Sequence, residues 1–153
     1  IYAYCYRRLG NPEEAADATS AIFSRAIESL ASCRDSRFRS WLFAIAHNVL
    51  TDLYRGRRFD QSLDDTVHVL HRGPTPEDEA IAHETFRSVA TLLSQLPADQ
   101  RQVLELRLSG LTSKEIGAIL GKQPNAVDQA QFRAISRLRA LTGNPGSLME
   151  GLR

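Results

Sequence analysis

Between Phe38 and Arg58 the stretch FRSWLFAIAHNVLTDLYRGRR sets an indole, a carboxamide, a carboxylate and a guanidinium at Trp41, Asn48, Asp52 and Arg55. At about 100° per residue these four fall on one flank of a helix. Phe38, Leu42, Ile45, Ala46, Val49 and Leu53 fall on another side, the spacing of an amphipathic helix with a buried face. The plainest reading is a core helix in which Asp52 and Arg55, three residues apart, pair locally. The stretch contains no nucleophile with a partner base. The whole chain has no Gly-rich phosphate loop and no metal cluster either, so an enzyme reading has almost nothing to stand on.

A chain of 153 residues with 42% hydrophobic content can build one or two compact domains, and no run approaches the length of a membrane span, so the expectation is a soluble protein with no membrane insertion. Only Cys5 and Cys33 occur, too few and too separate for a disulfide scaffold or a four-ligand zinc site. A two-residue gap separates His68 and His71, without Cys, Asp or Glu at matching helical spacing, and neither a metal nor a cofactor is expected. No charged-then-apolar signal segment precedes Ile1, a start at Ile rather than Met implies missing leading residues, and a cytoplasmic location is expected. The net charge of +1 hides a pattern. Residues 1–58 carry nine Arg against six acids, residues 59–80 carry six acids against Arg72 alone, and residues 81–153 carry nine Lys or Arg against six acids. Two mildly basic blocks flank an acidic connector, which suits two nucleic-acid-facing modules around a segment that avoids DNA and equally suits a solvated linker.

The elements that must position these residues are helical. Ile1, Tyr2, Cys5, Tyr6 and Leu9 make a short amphipathic helix that stops at Gly10. Asn11 as cap, Pro12 at the first position and Glu14 in the first turn start the next, with Ala15, Ala18, Ile22, Ala26 and Leu30 as its buried stripe. Cys33-Arg34-Asp35-Ser36-Arg37 is a charged loop before the long helix. From Phe59 to Pro76 no helical stripe exists, and Gly73-Pro74-Thr75-Pro76 is a strong breaker cluster. A second module opens with Ile81, Phe86, Val89, Leu92, Leu93 and Leu96 on one helix ended by Pro97, then a helix from Ala98 to Ser109 closed by Gly110. Thr112-x-x-Glu115 is a capping box for a short helix stopping at Gly121. A longer helix runs from about Asn125 to Leu141, with Val127, Ala134, Leu138 and Leu141 expected inward. Short helix, glycine turn and longer basic helix is the helix-turn-helix layout.

Trp41, Leu42, Ile45, Ala46, Asn48, Asp52 and Arg55 together match W-L-x-x-I-A-x-N-x-x-x-D-x-x-R, and by this motif the chain resembles region two of the sigma-70 family of transcription initiation factors, in particular the extracytoplasmic-function group. The resemblance implies that Arg34, Arg37, Trp41, His47, Asn48, Asp52 and Arg55 contact the promoter's minus-ten element. His47 stands where the family more often has Arg. The loop holding Arg34 and Arg37 would receive an unstacked base, whose extrusion costs a few kcal/mol and needs a snug pocket in return. Asp17, Ser20 and Phe23 resemble the family's D-x-x-Q-x-x-F docking element for core RNA polymerase, with Ser20 replacing Gln; the lesser alternative is that Phe23 is a core residue. By the same resemblance the acidic linker can thread toward the polymerase's RNA exit path.

LSQLPADQRQVLELRLSGLTSKEIGAILG resembles sigma region four through Leu96, Pro97, Arg101, Val103, Leu104, Leu106, Leu111, Glu115, Ile116, Leu120 and Gly121. That resemblance implies minus-thirty-five contacts from Lys122, Asn125, Asp128, Gln129, Phe132, Arg133 and Arg137. Family members usually carry Lys or Arg at the place of Asp128, so Asn125 and Asp128 are also readable as a helix cap and a first-turn acid. The expected fold is all-α, with two small helical domains joined by a flexible linker and a helix-turn-helix in the second. Residues 1–58 are region two, 59–76 the linker, 77–142 region four and 143–153 a loose tail. The function implied is that of an initiation factor that binds core RNA polymerase, recognises both promoter elements, promotes DNA opening and is restrained by an anti-sigma factor. The rival is a sigma-like decoy that sequesters an anti-sigma factor, suggested by the departures at Asp128, Ser20 and His47.

Overall fold

A computed structural model describes residues 1–34, 37–60 and 77–143, and the described residues contain seven α-helices and no strand. They divide into two compact units, Ile1–Ser88 and Val89–Arg153. The tail and most of the region expected to be a linker lie outside the described residues, as do His68 and His71.

In the first unit α1 (Tyr2–Leu9) ends at Gly10, whose φ of 71° is left-handed and whose amide donates to the Tyr6 carbonyl at 2.8 Å. A residue without Cβ takes that conformation without steric cost. Asn11 Oδ1 then accepts from the amides of Glu13 and Glu14 at 2.9 and 3.1 Å, and Pro12 occupies the first turn of α2 (Pro12–Glu28), as the sequence predicts. Both α1 and α2 pack on α3 (Phe38–Asp60). Tyr4, Cys5, Ile22, Leu42, Phe43, Val49 and Leu50 form the core, each fully buried Ile or Leu contributing roughly 1.5–3 kcal/mol. Buried alanines at 15, 18, 26 and 46 let the helix backbones approach closely.

The buried face of α3 differs from the expected stripe. Phe38 and Leu53 are exposed, whereas Phe43 and Leu50 are buried. Phe38 lies in the first turn, with its ring 5.8 Å from that of Trp41, and Leu53 lines an open groove rather than a packed seam. Leu30 is also exposed, because α2 stops at Glu28 and the chain tightens into a 3-10 turn over Leu30–Ser32 that breaks the stripe.

In the second unit α4 (Glu77–Ser94) contributes Leu93 to a cluster with Leu96, with Leu104 of α5 (Ala98–Leu108), and with Ala134 and Leu138 of α7 (Pro124–Thr142). Between them α6 (Ser113–Leu120) carries the predicted capping box: Thr112 Oγ1 accepts from the Glu115 amide at 3.3 Å and Glu115 Oε2 from the Thr112 amide at 2.8 Å. A Cβ on Gly117 would meet the Lys122 carbonyl oxygen at 2.4 Å, so glycine allows the turn to fold back on α6. Leu141 is exposed rather than inward, because α7 continues past its last buried residue, Leu138.

Glu105 is fully buried, and Arg101 Nε donates to its Oε1 at 2.7 Å. Taking the cation from beside a buried carboxylate typically costs about 3–5 kcal/mol. Arg101→Ala is expected to lower the chain's stability by roughly 3 kcal/mol. A chemical denaturation curve superimposable on wild type would contradict this role.

Candidate nucleic-acid interface

The flank of α3 is built by the packing of its opposite face. With Ala46, Val49 and Leu50 inward, Asn48, Asp52 and Arg55 are exposed. Trp41 is half-buried at the start of this flank, and its Nε1 donates to Ser32 Oγ at 3.2 Å, which ties α3 to the 3-10 turn. Arg34 and Arg37 are exposed in the connection, where the Arg37 amide donates to the Arg34 carbonyl at 2.8 Å. His47 lies about 100° around the helix from Asn48 and is half-buried, so the structure does not place it with the others. Asp52 faces Arg25 of α2 at 3.6 Å, not Arg55, which overturns the local-pair reading.

On α2, Asp17 and Ser20 are exposed and Phe23 is 45% exposed, so Phe23 is not a core residue. Asp17 lines an open groove of about 620 Å³ between α2 and α3, with Arg25, Asp52, Val49 and Leu53 among its walls, and Phe23 is not part of that lining. Beside Phe23 stands Ile27, 72% exposed and four residues on, a partner that sequence reasoning missed although the i, i+4 spacing would have revealed it.

On α7 the exposed residues Asn125, Gln129, Phe132, Arg133 and Ser136 recur at helical spacing along one face, with Phe132 73% exposed and Arg137 exposed at the edge. Lys122 is half-buried in the preceding turn. The cap is Gln123, with no side-chain hydrogen bond, and Pro124 follows it; Asn125 is therefore not the cap, and no acid lies in the first turn. The expectation that Asp128 is a first-turn acid is corrected accordingly. Its carboxylate instead accepts from the Ser113 hydroxyl and lies 3.4 Å from Arg107. Neither Arg107 nor Ser113 was singled out from the sequence, since contacts across 21 and 15 residues leave no local pattern.

Burial pushes the Cys5 thiol above its ordinary range, with a hydrogen bond from Thr19 acting the other way, and a thiol so raised is a poor nucleophile. Among the described residues no group of three or more His, Cys, Asp or Glu is arranged to hold a metal ion, and no helix is long and apolar enough to cross a membrane.

A helical unit followed by a helix-turn-helix unit is the layout of a DNA-binding regulator of transcription. Residues 1–59 match Sigma-70 region 2, and residues 86–138 match Sigma-70, region 4. The ECF RNA polymerase sigma factor SigW of Bacillus subtilis (strain 168) is 32% identical over 151 residues, covering 91% of this chain and 81% of that protein. The ECF RNA polymerase sigma factor BldN of Streptomyces coelicolor is 27% identical over 146 residues, covering 92% of this chain, and the chain spans only 55% of its length. Among solved structures, CnrH in complex with the cytosolic domain of CnrY aligns with a TM-score of 0.68 at 28% identity, over 93% of this chain and 80% of that one. The chain belongs to the ECF sigma factors of the sigma-70 family.

Proposed function

We propose that this chain directs transcription initiation in the cytoplasm: it binds core RNA polymerase, reads the minus-ten element with its first unit (residues 1–58), reads the minus-thirty-five element with its second (residues 77–142), and promotes opening of the DNA between. The observation that carries this reading is the presence in one chain of two packed units whose polar helix faces, Asn48 with Arg55 on α3 and Gln129 with Arg133 on α7, are left exposed. Trp41 and the arginines at 34, 37 and 55 frame the first of these faces. The first turn of α7, with no side-chain cap, presents backbone N–H groups suited to a phosphate. On α2, exposed Phe23 and Ile27 beside Asp17 and Ser20 make an apolar anchor with a polar border, the composition of a protein-binding hot spot.

The relative CnrH has been solved in complex with the cytosolic domain of CnrY, and this chain is proposed to be restrained likewise by an anti-sigma partner. The decoy reading is not favoured: the carboxylate of Asp128 is engaged by Ser113 and Arg107 rather than standing alone on the helix face, and His47 lies away from the exposed flank.

Three variants test the assignments. Asn48→Ala should impair promoter opening while core binding stays intact, because it deletes an amide able to hydrogen-bond an extruded base; unchanged permanganate reactivity of the bubble would refute it. Phe23→Ala should weaken binding to core polymerase by about 2 kcal/mol, as loss of an aromatic hot spot does. Equal competition by wild type and variant for a limiting pool of polymerase would remove this surface from the interface. Arg133→Ala should cost roughly 1–3 kcal/mol on promoter duplex and relax preference at one base pair if the guanidinium reads guanine. Uniform weakening on promoter and scrambled duplexes, with a flatter salt dependence, would assign it to a phosphate instead.

A further inference from the structure

Arg107 lies in the last turn of α5 with its side chain only 20% exposed, and it bonds to several segments around the helix-turn-helix. Its Nε donates to Gln131 Oε1 at 2.8 Å, its Nη1 to the Leu111 carbonyl at 3.1 Å and its Nη2 to Ser113 Oγ at 2.5 Å, while Nη2 also reaches Asp128 Oδ1 at 3.4 Å. The Ser113 hydroxyl has a single proton and donates it to that same carboxylate oxygen, which leaves its own oxygen free to accept from Arg107. One guanidinium thereby joins the end of α5, the loop before α6, the first residue of α6 and two residues one turn apart on α7. An isolated exposed ion pair contributes little, but a mostly buried planar fork with four acceptors spread over the loop, α6 and α7 fixes their mutual geometry.

We propose that Arg107, Ser113 and Asp128 form a clamp that sets the orientation of α7 against α5 and α6, and that Asp128 is a specificity-determining positioning residue rather than a base reader. This rests on α7 reading the minus-thirty-five element. A binding constellation must be held to within about 0.5 Å to discriminate, and α6, only eight residues long, cannot impose that by itself. The carboxylate that would otherwise repel phosphates is held against a cation of its own chain. Such a device also explains how this recognition helix tolerates an acid: its charge is matched internally, and the matching partner carries the alignment.

The full chain, assembled with core RNA polymerase, would first select duplexes from a pool randomised in the upstream element. The selected duplex and a scrambled counterpart then serve as probes, and the ratio of their affinities is the readout. Asp128→Asn and Arg107→Gln should each lower that ratio by roughly fivefold to tenfold, and the double variant should lose no more than the worse single one, the signature of coupled residues. Ser113→Ala should behave like them and Ser113→Thr should restore the ratio. Asp128→Lys should bind the scrambled duplex more tightly yet discriminate less. Additive single effects, or a wild-type ratio in Asp128→Lys, would overturn the clamp alone. If wild type enriches no sequence, the reading of α7 falls and the clamp's role in specificity falls with it.

Discussion

The first unit depends on the burial of one face of α3, where Leu42, Phe43, Ala46, Val49 and Leu50 are removed from water, two of them without any residual exposure. This apolar seam sets the rotation of the helix about its axis, and the rotation decides which polar groups face outward. A turn of one residue, about 100°, would bring Asn48 toward the core, and burying an unpaired amide costs about 1–3 kcal/mol. The hydrophobic effect, which recognises nothing, thus holds the amide and guanidinium of Asn48 and Arg55 in solvent. Tyr54 adds a polar lock: its hydroxyl donates to the Arg8 carbonyl, and the guanidinium carbons of Arg8 and Arg57 lie 5.2 and 5.9 Å from its ring centre. Arg57 in turn pairs with Glu14, so α1, α2 and α3 meet around one residue.

The second unit solves the same problem with shorter pieces. An eight-residue helix is below the length that is stable alone, so α6 draws its order from tertiary contacts and from its ends. Ile116 supplies the buried contact, the Thr112–Glu115 box satisfies the N-terminal amides, and Gly121, with φ 66°, closes the C-terminus. Arg107 then connects α6 to its neighbours. The apolar cluster of Leu93, Leu96, Leu104, Ala134 and Leu138 holds the C-terminal half of α7 and leaves its N-terminal half to Val127, Ala130 and the polar links. Charged residues occupy both load points of α5, at Glu105 and at Arg107, where directional bonds specify an orientation that interchangeable leucines would not.

Local features were legible in the sequence because each is written within a few residues: the Gly10 stop, the Asn11 cap, the capping box, and the breaks at Pro97 and Gly121. The exposed positions on α7 were legible as well, since periodicity separates Gln129, Phe132 and Arg133 from Val127 and Ala134. What periodicity could not show is how far along a helix the covering neighbour extends. Phe38, Leu53 and Leu141 lie on or near the buried stripes yet outside the covered stretch, and they are exposed. Nor could it show partners across the fold. Asp52 was read as a mate for Arg55 and pairs with Arg25, and Asp128 was read as a cap or a base contact and meets Ser113 and Arg107. The family resemblance named candidate positions, but the chemistry at a departure from the motif had to come from three-dimensional neighbours.

On the proposed reading, the weak charge of each unit has a consequence for how the protein finds its target. The face of α7 offers two exposed arginines, Arg133 and Arg137, while Asp128 is matched within the chain. Two phosphate neutralisations give a salt slope of roughly −2, so a rise from 50 to 200 mM salt weakens binding only about tenfold, and the sequence-independent affinity itself is small. A chain of this kind does not accumulate on arbitrary DNA. Its discrimination arises when polymerase holds both units at once, because the second contact is then made at an effective concentration on the order of millimolar rather than at the dilution of the free protein. Weak, well-oriented modules suit that arrangement better than strongly basic ones: excess cationic charge would raise binding to every sequence alike, whereas a fixed α7 raises it only where bases match.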